Sequence, residues 1–383
     1  MKAKSLQANN SATLHTKLEK VLTDDFRPSL AFVFISKEDH LDSVMELMRS
    51  NNIDVFGAFS SREFTEEGLQ EGGISVLFLE VDPSYYVINI VDLEKTSTHD
   101  AARQIGVSGI NSFNNPGYIV SGADLSTPGE QIIQGITEIA GPNSTIIGGI
   151  SGEPVLFKGL VFTNGQSYRK GIIGLILDMD KIEIQGTAVS GWKTVGTEKT
   201  VTKADQSWVK EIDNFPALDI LKKFMGEDVV LNEKIGDDHI AKLNINFPLQ
   251  VRRKSGYSVM RPTLLANLKE KSIFCGGVIE EGDVFRFSVP PDFDVIDDVI
   301  ESSRKIKKTH LPDVDAMVIF SCAGRFESFG PLLDVELEGL AETWGSPMAG
   351  FLCLGEFGKV VGGDVSEFHG STCSWMALKE KSI

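Results

Sequence analysis

The sequence states one pattern three times. An apolar strand-like run leads into a helix-like stretch, then into a second apolar run that ends in glycine, with a glutamate a few residues on. The first copy passes from LAFVFIS (from Leu30) through HLDSVMELMRS to DVFGAFSSREF, with Gly57 and Glu63. The second passes from GYIVSGAD (from Gly117) through EQIIQGITEIAG to TIIGGISGE, with Gly148, Gly149, Gly152 and Glu153. The third passes from AMVIFSCAGR (from Ala316) through ELEGLAETWG to PMAGFLCLGE, with Gly350, Gly355 and Glu356. Each copy is followed by a further strand-like run: GGISVLFLEVD, GIIGLILDMD and STCSWMALKE. Repetition of this kind predicts a pseudo-symmetric α/β body, and the glycine-rich strand ends are where such a body builds a pocket.

The 383 residues suffice for two ordinary domains or three small ones. A net charge of −17 argues against a nucleic-acid surface, which needs clustered Lys and Arg, and Arg252-Arg253-Lys254 is too short to supply one. The first twenty residues hold no apolar signal-peptide segment, and no run is long and apolar enough for a membrane helix. Four cysteines (Cys275, Cys322, Cys353, Cys373) with no Cys-x-x-Cys pair are not a disulfide framework. The expected location is cytoplasmic.

Residues 1–26 read as a polar arm, 27–210 as one α/β domain and 211–383 as a second. The fold class expected is α/β: two packed halves of mixed β-sheet with flanking helices, built from repeated strand-helix-strand-Gly-x-Glu units. The boundary falls at DNFPALDILKKFMG, a predicted helix capped by Asp213 or Asn214, with Pro216 in its first turn and Gly226 as its stop. SIFCGGVIEEGDVFRFSVP has the rhythm of a hairpin around Glu280-Glu281-Gly282-Asp283. FDVIDDVIESSRKIKKTH predicts an amphipathic helix with Ile296, Val299 and Ile300 inward.

These residues resemble the FIST family, with both its FIST N and FIST C parts, from about Arg27 to about Leu378. The pieces that carry the resemblance are IGGISGEPVLF (147–157), SGWKTVGTEKTVT (190–202), the Pro-Ala-Leu from Pro216, SCAGR (321–325) and AGFLCLGEFG (349–358). His369 and Thr372 fall where the family has a His-Asn-x-Thr-like ending. Glu153 stands where many members have aspartate, Leu352 and Leu354 replace residues often aromatic or polar, and SSREF is a weak form of the family's turn. The resemblance implies an intracellular sensory protein that binds a small ligand, amino acids being the proposed class, and signals to a separate partner. It also implies an alternative, since some members are haem-binding nitric-oxide sensors paired with separate kinases or cyclases.

Candidate ligand contacts follow from residue chemistry. Arg325, just past the end of an apolar strand with Gly324 beside it, would clasp a ligand carboxylate through its two-pronged guanidinium, or else pair with an internal acid such as Glu336 or Glu356. Glu356, beside Gly355, would take a ligand ammonium or hold the glycine turn by accepting backbone N–H groups. Glu153 has the same two readings, and Glu63 leans to the structural one. Cys322 would serve as a contact, or as the nucleophile of a cysteine-dependent enzyme if Arg325 lowered its pKa and His369 acted as base. His369 is the candidate haem axial ligand, and His369 with Cys373 would share a face if on one strand. Two such ligands fall short of a structural zinc site. Trp192 reads as core packing. Rossmann, Walker, zinc-protease and nucleophile-elbow motifs are absent from the sequence.

Overall fold

The LAFVFI, GYIVSG and AMVIFSC runs are continuous apolar strands rather than alternating ones, so each must be covered on both faces. The computed structural model shows how. It describes the chain except residues 23–24, 154–157, 227–230, 235–238, 290–291 and 383, and describes 231–234 by backbone alone.

Three six-stranded sheets share one strand order. In the first, Lys2–Ala8, Ile74–Glu80, Leu30–Ile35 and Asp54–Phe59 are followed by the hairpin Val161–Phe162/Ser167–Tyr168. In the second, Tyr86–Asp92, Gly171–Asp178, Pro116–Gly122 and Ile146–Gly149 are followed by the hairpin Glu356–Lys359/Ser366–His369. In the third, Ile182–Val189, Cys373–Glu380, Ala316–Cys322 and Met348–Cys353 are followed by the hairpin Glu63–Thr65/Gly68–Gln70. The third and fourth strands of each sheet are parallel and every other neighbour is antiparallel.

Each unit therefore gives away its hairpin: the first to the third sheet, the third to the second, the second to the first. The register explains the glycines. The hairpin phenylalanines Phe162, Phe64 and Phe357 lie opposite Gly57, Gly350 and Gly148 of the receiving strands. A Cβ on Gly57 would stand 2.4 Å from the Phe162 ring, and one on Gly350 2.4 Å from Phe64. Phe162 and Phe64 fill the space their glycines leave, whereas at Gly148 a Cβ would meet the Val120 carbonyl at 1.8 Å.

Helices Leu41–Ser50, Gly129–Ala140 and Leu333–Trp344 link the parallel strands, and Ser11–Val21, Thr98–Ser112 and Asp294–Thr309 follow the edge strands. The sheets turn one face inward to a common core that includes Phe34, Ile173, Phe320 and Phe351, with the Phe34 and Phe351 rings 4.8 Å apart. Outer faces are covered by the helices in three further clusters. Each fully buried large apolar side chain contributes roughly 1.5–3 kcal/mol.

Between Ile182–Val189 and helix Asp294–Thr309 the third unit carries an insert, a ten-stranded sheet with its own core around Val201, Val209, Leu218, Leu249, Ile273 and Phe285. Strands on both sides of the expected 210/211 boundary lie in this sheet, Thr194–Asp205 beside Val284–Ser288 and Trp208–Ile212 beside Ser272–Cys275. The mixed α/β class is as expected, and the strand pairing interlaces three units with an insert in the third.

Other expectations are corrected in detail. The N-terminal arm is strand Lys2–Ala8 and helix Ser11–Val21; an edge strand with one open side needs little apolar signal. The strands Ser272–Cys275 and Val284–Ser288 do not form a hairpin, because two other strands lie between them. The boundary helix runs Ala217–Met225 and stops at Gly226, but Asp213 and Asn214 do not cap it. They occupy left-handed turns at φ 50° and 66°, and the Asp213 carboxylate accepts from Thr200 N–H at 3.0 Å and pairs with Lys199 at 2.8 Å. Helix Asp294–Thr309 buries Ile296, Val299 and Ile300. Of IGGISGEPVLF, residues 154–157 lie outside the described residues, as do 290–291 beyond Val284–Ser288.

Candidate functional site

A parallel strand pair exposes its carboxyl ends where the chain turns away, and ligands of open α/β sheets collect there. In this chain the ends are comparable between units through one hydrogen bond. The N–H of the residue after the first parallel strand, or at its end, donates to the residue before the closing strand, or at its start: Ser36 to Gly73 O at 3.2 Å, Ala123 to Gly171 O at 2.9 Å, and Cys322 to Thr372 O at 2.9 Å. Ser36, Ala123 and Cys322 are therefore equivalent.

At the third unit's strand end a pocket of about 90 Å³ opens between the body and the insert. The third unit supplies Cys322, Ala323, Gly324, Glu327, Cys353 and Leu354, the second unit Leu125, and the insert Lys242, Leu243, Ile245, Pro262, Leu264 and Leu265. Cys322 and Cys353 are register partners on the two parallel strands. Glu356, fully buried, lies behind them. It accepts from the Thr372 hydroxyl at 2.7 Å, from Thr372 N–H at 3.2 Å and from the Cys353 thiol at 3.2 Å. Burial pushes its carboxyl up to about 7, against the pull of those donors. Burial, and then the Glu356 carboxylate, push both thiols well above their ordinary value.

Arg325 is elsewhere. It is fully buried on the short helix Ala323–Phe329, its Nε 3.2 Å from Glu336 Oε1, its Nη2 on Glu336 Oε2, and its Nη1 donating to Ser190 O at 2.9 Å. The guanidinium also lies over the Trp192 and Phe329 rings. The internal partner is Glu336, not Glu356, and the donors that were to hold a ligand carboxylate hold this helix against the body. Gly355 is covered by Phe368, 2.3 Å from where its Cβ would be, while its carbonyl accepts from Ile150 N–H. It shapes the strand exit behind the pocket.

Glu153 is not the counterpart of Glu63 and Glu356. Those two begin their hairpins, immediately before Phe64 and Phe357, and the residue in that place in the second unit is Val161, before Phe162. Glu153 instead lines a cleft at the first unit's strand end, where Glu63 sits buried under Ser36.

His369 does not fit haem. It is buried, its Nε2 is 3.2 Å from Gly358 O, and burial lowers its pKa to about 3. The third-unit pocket is not lined by it and is too small for a porphyrin. His369 ends a hairpin strand of the second sheet, whereas Cys373 begins the closing strand of the third, packed with Trp375. They do not share one strand, and among the described residues there is no cluster of three or more His, Cys, Asp or Glu able to hold a metal ion. Trp192 is core, packed on Phe329.

Sequence reasoning missed Leu125, Lys242, Ile245 and Leu264, which come from the second unit or the insert, and Glu327 on the third unit's own short helix; none carries a local motif. The one signal available was the Ser36/Cys322 equivalence, visible as the residue that follows LAFVFI or closes AMVIFSC.

The repeated parallel-strand units, the insert and the pocket between them define an α/β protein with a cleft at a parallel-strand end. The FIST N domain matches residues 29–214 and the FIST C domain residues 217–359, and the chain belongs to this family of sensory, signal-transduction domains. The family boundary at 214/217 falls inside the insert rather than between folding units. No curated protein matches the sequence. No described helix is long and apolar enough to cross a membrane.

Proposed function

We propose that the third-unit pocket is the sensory site and that it takes a small amino-acid-like ligand with an apolar side chain. The observation that carries this reading is the lining: an apolar wall of Leu125, Leu243, Ile245 and Leu264, with one cation, Lys242, and one carboxylate, Glu327, among it. The side chain packs on the wall, Lys242 takes the carboxylate and Glu327 the ammonium, the polar groups fixing orientation while the apolar ones supply burial. Cys322 and Gly324 belong to the floor, and Glu356 supports the floor from behind rather than touching the ligand.

The signal then leaves by contact with a separate partner protein. The pocket has one wall on the body and one on the insert, so a ligand that touches both favours the arrangement in which they are closed. This is an intracellular role.

Calorimetry of the purified chain against leucine, valine and methionine tests the reading. Binding is expected, and is expected to vanish in Leu264→Trp, which fills the pocket, and to weaken in Lys242→Ala. Silence with every aliphatic amino acid ends it. A cysteine enzyme is the weaker reading, because the thiols are held protonated by burial and a nearby carboxylate, where a nucleophile needs a cation to stabilise the thiolate.

A further inference from the structure

The first unit has a strand-end cleft of its own, larger and more polar than that of the third. It has a volume of about 560 Å³. Ser36 lines it where Cys322 lines the other pocket, and Ser60, Ser61 and Arg62 follow the second parallel strand, as Cys353 ends that strand and Leu354 follows it in the third unit. The backing repeats too. Glu63 accepts from Gly73 N–H at 3.0 Å, as Glu356 accepts from Thr372 N–H, and one oxygen of Glu63, Oε2, is buried with no partner.

The two clefts differ in lining. In place of the leucine wall stand Lys37 and Arg62, with Glu153 from the second unit and Glu327 from the third. Arg62 reaches Glu71 at 2.5 Å and lies over the Phe326 ring at 4.1 Å, so its guanidinium is fixed in place at the cleft. The charges are of both signs: Lys37, Arg62 and its partner Glu71 come from the first unit, and the further acids Glu153 and Glu327 from the second and third. Neither a simple anion nor a simple cation matches that lining.

We infer that the first-unit cleft is a second binding site, specific for a small hydrophilic zwitterion whose carboxylate meets Lys37 and Arg62 and whose ammonium meets Glu153 and Glu327. Serine-like hydroxyls or amides on the ligand find Ser60, Ser61 and Ser36. The two sites share a wall. Ala323 and Glu327, on the helix that Arg325 pins to Glu336, line both. Occupancy of one therefore bears on the other, and thermodynamic linkage makes that influence reciprocal.

The site stands without any occupant in the third-unit pocket, so its test is arranged to fail separately. Calorimetry is run with L-serine and L-glutamine, with acetate and ethanolamine as single-charge controls, on the wild-type chain, on Lys37→Ala and Ser61→Trp, and on Leu264→Trp. Circular dichroism verifies that each variant is folded. The expected result is binding of serine or glutamine, weakened about tenfold or more in Lys37→Ala and in Ser61→Trp but retained in Leu264→Trp. The inference is overturned if neither zwitterion binds, if acetate or ethanolamine binds as well, or if both first-unit variants bind as the wild type does. Loss of binding in Leu264→Trp alone assigns the zwitterion to the third-unit pocket and also overturns it.

Discussion

Glu63 and Glu356 are equivalent residues of two units, each opening a hairpin that leaves its own sheet and each accepting the backbone N–H that precedes its own unit's closing strand, from Gly73 at 3.0 Å and from Thr372 at 3.2 Å. Both are buried, and burial holds both carboxyls at about 7. The first and third units thus each keep an acid that is largely protonated just below neutrality beneath the floor of the cleft, where the second unit has Val161.

This makes stability fall as the solution turns alkaline. A carboxyl raised from 4.5 to about 7 on folding binds more protons in the native state than in the unfolded one between those values. Its contribution is fully present below 4.5 and is lost as pH rises through 7. For Glu63, whose other neighbours are Ser36 and Glu71, the loss is on the order of 3 kcal/mol. Urea titrations of Glu63→Gln against wild type are expected to differ little at pH 5 and to favour the variant at pH 8. An unchanged difference across that range contradicts the burial assignment.

Arg325 and Glu336 are both fully buried and satisfied by one another. Removing one partner strands the other, at a cost of roughly 3–5 kcal/mol. Arg325→Ala is expected to lower the denaturation midpoint strongly. Arg325→Met combined with Glu336→Leu is expected to recover most of the loss, since a well-packed apolar pair substitutes for a buried ion pair. If Arg325→Ala melts like the wild type and merely loses ligand, Arg325 contacts the ligand after all.

The strand, helix and strand of each copy were legible because an apolar run of six or seven residues, a stretch with helical spacing and a second run are local signals. The glycines and glutamates were legible as positions but not as roles. Gly57 is small because Phe162, more than a hundred residues on, lies against it, and no local pattern announces a hairpin given to another sheet. The same exchange misplaced Glu153, since equivalence follows the Phe162 register and selects Val161. The pocket was half legible: Cys322 and Gly324 lie on the strand end where an α/β rule looks, while Lys242 and Leu264 reach it from the insert.

The thiols supply a further check. Burial holds Cys322 and Cys353 well above an ordinary thiol and Cys275 at about 12, so little thiolate exists at neutral pH. Iodoacetamide at pH 7.4 is expected to label Cys322 far more slowly than free cysteine, with mass spectrometry of peptides as the readout. Rapid labelling at Cys322 revives the enzyme reading.

The hairpin exchange itself is testable through one contact between the first and second units. All three atoms nearest to a Cβ built on Gly57 belong to the Phe162 ring, at 2.4, 2.5 and 2.6 Å. Gly57→Ala therefore overpacks against an imported side chain, at a cost of roughly 1–3 kcal/mol. Phe162→Leu removes ring atoms and alone costs on the order of 1 kcal/mol or more through the space it leaves. Together they relieve one another, because the new methyl occupies part of the volume the ring vacates. The double variant is expected to be more stable than the two single losses predict, by at least about 1 kcal/mol in a double-mutant cycle followed by urea unfolding. Strict additivity would place the second unit's hairpin away from Gly57, and with it would go the interlacing that sets the clefts between neighbouring units.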